Sequence, residues 1–343
     1  MSTQASHSET SSRFAWRRYR AGDEEGLLRL LERTFDGWPA IETSVEPIDH
    51  LRWKIHAERD PPLMHSVIEA DGRIIGTILT FLQSFKIGAM VVGGRQGTDI
   101  AADPDFQGQG VGRLLIEADA RQIPRHYNFG LHVGSRSRHP AMSTVRERVY
   151  NASVTLAHEV EVLMAPLAAP PPSLAERSEW SITDARRFDD RIGPFFEEAS
   201  TPFDFIVVRT IDYLNWRYAD PRAGRFRIRL AEERGRLLGY SVLTSMRGHG
   251  YIADLLTLPG RADVAESLLH DALAAFRDAN LQSGRCWAPH GHPYLGALQR
   301  VGFTERRRPR HVTYHARRNP EQAQVLSQPD ARVHLMIGDS DNV

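Results

Sequence analysis

A short apolar run, Thr98-Asp99-Ile100-Ala101-Ala102, is closed by Asp103-Pro104, and from Arg113 through Arg121 the apolar Leu114, Leu115 and Ala118 recur at helical spacing. Between the two stands Gln107-Gly108-Gln109-Gly110-Val111-Gly112. The pattern predicts a strand, a glycine turn and a helix. Such a turn points several backbone N–H groups and the positive end of a helix dipole at one spot, which suits a pyrophosphate. Glycine there lets the backbone approach a ligand and take angles that a side chain forbids.

The pattern also repeats. At an offset of 163, Leu51-Arg52-Trp53-Lys54 lines up with Leu214-Asn215-Trp216-Arg217, and Asp71-Gly72-Arg73-Ile74-Ile75-Gly76 with Arg234-Gly235-Arg236-Leu237-Leu238-Gly239. At 164 Trp16 meets Trp180; at 155 Asp99 through Pro104 meets Asp254 through Pro259; at 154 Leu114-Leu115 meets Leu268-Leu269. Each half reads β–α–α–β–β–β–α–β–α–β, with a tight hairpin at Gly72 or Gly235. Ala165-Pro166-Leu167-Ala168-Ala169-Pro170-Pro171-Pro172-Ser173 lies between the halves, and its prolines suit neither a helix interior nor a central strand. A stiff linker is expected there. The expected organisation is 1–12 as a disordered tail, 13–164 as a first domain with the glycine loop, 165–178 as linker, 179–317 as a second domain without the loop, and 318–343 as a C-terminal tail.

Three phosphate-binding patterns compete for the glycine turn. A dinucleotide fingerprint needs Gly-x-Gly-x-x-Gly and an acid about 20 residues on. The glycines here are Gly108, Gly110 and Gly112, and the later region holds Tyr127, Asn128 and Phe129. A P-loop needs Gly-Lys-Ser/Thr, and the only lysines, Lys54 and Lys86, lie elsewhere. The turn instead resembles the coenzyme A loop of the GNAT acyltransferase superfamily, Gln/Arg-x-x-Gly-x-Gly/Ala, matched by Gln107, Gly110 and Gly112, with Pro104 where that family often has proline. The element order of each half is similar to that family too. The resemblance implies an α/β (α+β) fold with a mixed sheet: two tandem GNAT-like acyl-CoA acyltransferase domains.

It further implies acetyl-CoA or another short acyl-CoA as co-substrate. The backbone of Ile100, Ala101 and Ala102 would meet the pantetheine arm and the oxyanion, and Gln107, Gly108, Gln109, Gly110, Val111, Gly112 and Arg113 the pyrophosphate. In the second half, Pro259-Gly260-Arg261-Ala262-Asp263-Val264-Ala265 replaces the loop, and Asp263 sets a negative charge where a polyanion would lie. That half does keep Leu298-Gln299-Arg300-Val301-Gly302-Phe303, similar to a helix ending of the family. One donor site is expected, in the first half.

Acyl transfer to an amine needs a proton acceptor, an oxyanion donor and an acid for the leaving thiolate. Asp99, Asp103, Glu69 and His132 are the candidate bases. Asp99 recurs as Asp254 in the half without a loop, which favours a structural acid, whereas His132 has the intrinsic pKa suited to a base. The family's usual acid is a tyrosine four residues before Gly-Phe; the matching register puts Val145 there and Val149-Tyr150 at the pair, leaving Tyr150 as the available hydroxyl. The repeated Trp53 and Trp216 read as packing residues. His290-Gly291-His292 lacks further ligands and predicts no metal. The alternating stretch Arg332–Ile337 is compatible with a strand docking back onto one domain.

Size, charge and cysteine content narrow the partners. The 343 residues suffice for two cores. Forty-three basic residues balance 43 acidic ones, which argues against nucleic acid or an anionic membrane as partner. One cysteine, Cys286, excludes an internal disulfide and fits a reducing, cytoplasmic setting. No apolar run reaches the roughly 20 residues that span a bilayer. The expected activity is N-acyltransfer, foremost N-acetyltransfer, to a small amine in a ternary complex. The rivals are a non-catalytic acyl-CoA-binding regulatory or assembly protein and an aminoacyl transferase using charged tRNA.

Overall fold

A computed structural model describes residues 13–35, 37–55, 65–122, 129–134, 153–168, 180–317 and 320–340. The expected tail at 1–12 and residues 169–178 of the expected linker lie outside that set. The first half runs β1 (Ala15–Arg18), α1 (Glu24–Thr34), α2 (Pro47–Ile55), β2 (Ser66–Ala70), β3 (Arg73–Ile87), β4 (Met90–Ala102), α3 (Val111–Gln122), β5 (Phe129–Gly134) and β6 (Ser153–Pro166). The second runs β7 (Ser181–Ala185), α4 (Ile192–Ala199), β8 (Phe205–Val207), α5 (Ile211–Tyr218), β9 (Arg227–Glu233), β10 (Arg236–Met246), β11 (His249–Thr257), α6 (Ala262–Asp278), β12 (Ser283–Pro289), α7 (Leu295–Arg300) and β13 (Thr304–Arg317). Helix α8 (Pro320–Leu326) follows.

Local chemistry sets these elements. In α1, Leu27, Leu30 and Leu31 bury one face, Glu24 and Glu25 sit in the first turn and Arg33 in the last, each sign matching the helix dipole. Thr210 caps α5 by accepting a hydrogen bond from the Tyr213 N–H. The β2–β3 and β9–β10 hairpins turn through Asp71-Gly72 (φ 49° and 74°) and Arg234-Gly235 (φ 50° and 84°). Both central residues have positive φ, the turn whose twist suits paired strands.

The strands form one continuous sheet, β1-β2-β3-β4-β5-β13-β6-β12-β11-β10-β9-β7, with β8 pairing the end of β3. The fold is thus a mixed α/β sheet built twice. Each half gives away its last strand. β6 pairs antiparallel with β12 of the second half, and β13 pairs antiparallel with β5 of the first. β6 and β13 then pair with each other at the centre. Ala165 and Pro166, expected in the linker, are the last residues of β6.

Helices α1 and α2 cover one face of the first half through Leu27, Leu31, Leu51, Leu79 and Ala101. Helix α3 covers the other through Val111, Leu115, Ile68 and Ile78. The halves meet where α2 and α5 touch. Trp53 and Trp216 stack with ring centroids 4.8 Å apart and planes 20° apart, and the Trp53 indole N–H donates to the Trp216 carbonyl at 3.2 Å. The repeated tryptophans pack on each other.

The C-terminal segment returns into the second half. The Asp204 and Phe205 N–H groups donate to the Arg332 carbonyl, the His334 N–H donates to Phe205, and Val333 bridges Phe205 in parallel. Val333, Leu335, Met336 and Ile337 are buried there. The strand-like alternation is realised as this single bridge, followed by a short turn at Ile337–Asp339.

Candidate active site

Two features converge beside β4. The first is the turn. Asp103 begins a short helical turn, Pro104–Phe106, by accepting the Asp105 N–H, and is itself held by Arg33 and Arg73. Gly108 and Gly110 follow with φ of 76° and 91°, and a side chain at either would meet nothing within 4 Å. The first bond of α3 runs from the Leu114 N–H to the Gly110 carbonyl at 2.9 Å. The amides of Gly110, Val111, Gly112 and Arg113 precede it, so they have no intrahelical acceptor at the helix N-terminus. Arg113 is exposed and ion-paired to Glu117 one turn on. Gln109 is tied to Arg13 and to the Asp105 carbonyl.

The second feature is a divergence of strands. β4 and β5 pair in parallel only at Gly94↔Phe129, Arg95↔Gly130 and Gln96↔Leu131. Both continue, β4 to Ala102 and β5 to Gly134, without pairing further. The Asp103 N–H bonds the Ile75 carbonyl on the β3 side at 2.8 Å. Strand alternation therefore turns the Ala102 amide toward the divergence and the Ala101 amide toward β3. Ile100 lies in the irregular stretch where the β3–β4 register shifts between Thr77 and Leu79.

Asp99 sits in that same stretch with φ 39°. One oxygen accepts the Trp38 indole N–H at 2.9 Å, and the other forms a buried ion pair with Lys54. Lys54 also lies over the Trp38 and Phe81 rings. Both oxygens of Asp99 are therefore engaged, on the α1/α2 side of the sheet. Glu69 is ion-paired to Arg17 on β1, and Asp103 serves the turn. The backbone of His132 is on β5, opposite Thr313 of β13. Its side chain lies outside the described residues, as does Tyr150 with the whole of 135–152.

Lys54 was the partner that spacing did not reveal; its rarity, one of two lysines, was the available signal. Arg95 is another. On the α3 side it forms a buried bidentate pair with Asp119 at 2.9 and 2.5 Å, fixing α3 against β4.

In the second half, β11 and β12 pair only at Gly250↔Gly284 and Tyr251↔Arg285 before diverging in the same way. Asp263 is held by Arg261 at 2.8 Å. His290 reaches Glu161 at the surface while His292 is buried against His334, so the pair flanking Gly291 is split. Burial pushes the Cys286 thiol up to about 12, which leaves it inert as a nucleophile. Among the described residues no helix is long and apolar enough to cross a membrane.

Comparisons with known proteins agree with this geometry. Residues 25–143 match the model of the acetyltransferase (GNAT) family. No curated protein matches the chain in sequence. Among solved structures, a probable N-acyltransferase from Enterococcus faecalis V583 superposes with a TM-score of 0.64 at 10% identity, over 89% of this chain and 73% of that one. Saccharomyces cerevisiae N-myristoyltransferase with bound myristoyl-CoA gives 0.62 at 11% identity, over 97% and 84%. A tandem GNAT protein from the clavulanic acid biosynthesis pathway gives 0.59 at 14% identity, over 90% and 99%.

Proposed function

We propose, from the match of residues 25–143 to the GNAT acetyltransferase family model, that the chain is an acyl-CoA-dependent N-acyltransferase, acting with acetyl-CoA or another short acyl-CoA on a small amine. The observation that carries this reading is the pairing of an open glycine turn at a helix N-terminus with a strand edge that opens beside it. The amides from Gly108 to Arg113 hold the pyrophosphate. The pantetheine arm lies along the β4 edge, where the Ala102 amide stands ready for a carbonyl oxygen. Arg113, already paired to Glu117, adds little.

In the proposed step the amine nitrogen bonds to the thioester carbonyl carbon, and a β4 N–H stabilises the oxyanion. The carbon–sulfur bond then breaks, the amine proton passes to a base, and the thiolate takes a proton from an acid. We assign the base to His132 and the acid to Tyr150. Asp99, with both oxygens engaged, is assigned the positioning of the β4 bulge rather than proton transfer.

Calorimetric titration of acetyl-CoA and longer acyl-CoAs tests the donor site, with Gly110→Asp as the disabled variant. Micromolar binding lost in the variant supports it. If no acyl-CoA binds the wild type, the reading fails. Binding without thiol release across a panel of amines gives the regulatory alternative instead.

A further inference from the structure

The β3–β4 pairing puts three polar side chains on one face. Phe81 pairs with Gln96, Leu79 with Thr98, and Gln83 with Gly94. Directly paired residues share a face of an antiparallel sheet, and so do alternate residues along a strand. Gln83, Gln96 and Thr98 therefore stand on the face of Phe81 and Leu79, which α2 covers. Gln83, Gln96 and Thr98 are 6%, 2% and 3% exposed, and the Oε1 atoms of both glutamines and the Thr98 hydroxyl have no hydrogen-bond partner. Native proteins almost always pair such atoms, because leaving one dry and unmatched costs about 1–3 kcal/mol. Three on adjoining positions mark a place that expects a visitor.

The location fits an acceptor. Gln96 is the last β4 residue paired to β5, and Thr98 is the next on that face, just past the point of divergence. The roof comes from both halves: Trp53 and Trp216 pack on Phe81, and the Gln83 amide reaches the Tyr213 hydroxyl at 3.5 Å. The two glutamine oxygens accept only, and the Thr98 hydroxyl can accept as well as donate, so the set favours N–H and O–H donors. Lys54 on this face is held by Asp99, and Arg95 points to the other face against Asp119. Among the described residues, a carboxylate brought here would be desolvated beside a lysine already held by Asp99.

We propose that the face shared by Gln83, Gln96 and Thr98 is the acceptor subsite, and that it takes an amine rich in hydroxyl or amide donors and lacking a carboxylate. This rests on the acyl-transfer reading above. The amine's donors meet the three oxygens, and its nitrogen is presented toward the β4 edge at Thr98.

Gln83→Leu/Gln96→Leu tests it, because leucine keeps the bulk and removes the oxygens. Among the described contacts the variant loses only the long, 3.5 Å bond from the Gln83 amide to the Tyr213 hydroxyl, so the free protein unfolds within a few degrees of wild type. A marked fall in Tm would show the glutamines to be internally paired and overturn the proposal. With acetyl-CoA saturating, glucosamine and an amino alcohol are compared with glycine and glutamate. The hydroxylated amines have at least tenfold lower KM, and the variant raises that KM tenfold or more while its acetyl-CoA affinity is unchanged. Preference for the amino acids, an unmoved KM, or no turnover of any hydroxylated amine by protein that binds acetyl-CoA overturns it. Loss of acetyl-CoA binding in the wild type would instead sink the donor site.

Discussion

In the first half the Ala102 amide faces the divergence of β4 from β5, and among the described residues no acceptor meets it. At the corresponding place in the second half, the Thr257 amide is taken by the Tyr294 hydroxyl at 2.8 Å. Burial there pushes the Tyr294 hydroxyl up to about 12, so it stays protonated. Where α2 and α5 pack on the sheet the contrast is sharper. Lys54 holds Asp99, whereas its counterpart Arg217 donates to the carbonyls of Gly338 and Ser340 in the returning C-terminal segment. A side chain on Gly338 would sit 2.6 Å from the Ala253 carbonyl and closer still to the Tyr218 hydroxyl. In the second copy the returning chain fills this place, and among the described residues of the first copy no segment does the same. Duplication of a fold thus separates the two tasks of a binding site, being open and being stable.

Arg209 marks the stable side, and removing it has the largest expected effect. It is fully buried between Asp254 (3.1 Å) and Asp339 (2.8 Å), and the Tyr240 hydroxyl donates to Asp254. Against the cost of burial, the Arg209 charge holds Asp254 below the ordinary carboxylate range, while burial keeps Asp339 above it. Arg209→Met strands both carboxylates and is expected to cost about 3–5 kcal/mol in urea unfolding. Lys54→Met strands one carboxylate and costs less; equal losses would erase the asymmetry.

Acid tests both halves at once. Burial, reinforced by Lys54, pushes His50 down to about 4 from 6.5, and burial beside His334 pushes His292 well down. The unfolded chain binds these protons first. Stability is therefore full above about pH 6.5 and falls as the pH drops toward 4, by up to about 3 kcal/mol for His50. Urea midpoints between pH 7 and 4.5 should show the slope, and His50→Phe or His292→Phe should flatten it.

Donor binding separates the halves next. Gly110→Asp weakens acyl-CoA binding at least a hundredfold, whereas Gly260→Asp, at a similar φ of 75°, leaves it unchanged. Both substitutions strain a positive-φ turn, so calorimetry on the pair isolates the phosphate site from the strain. The smallest effect is at Arg113. Its guanidinium already serves Glu117 in solvent, and Arg113→Ala should change acyl-CoA affinity less than threefold.

Much of this was legible because it is local. The hairpins at Gly72 and Gly235, the glycine turn before α3 and the amphipathic faces of the helices depend on residues a few positions apart. What stayed hidden depends on long-range choice. Alternation along β6 says that it is a strand but not that Cys286 and Trp287, rather than its own half, will lie beside Leu163 and Val162. The Lys54–Asp99 pair and the Tyr294 hydroxyl on Thr257 join residues tens of positions apart, with no periodicity to announce them. Asp99 repeating as Asp254 did announce a structural carboxylate, though not that each copy would pair it with a different cation.

The exchanged strands bear on how the chain is made. A ribosome releases β5 about 170 residues before β13 begins, between Gly134 and Thr304. At 5–20 residues per second, the first half waits roughly 9–34 s with the β5 edge bare. A chain halted near residue 168 would never cover that edge, and bare edges recruit other strands. Synthesis of this protein is therefore a race in which the second half arrives as the first half's chaperone.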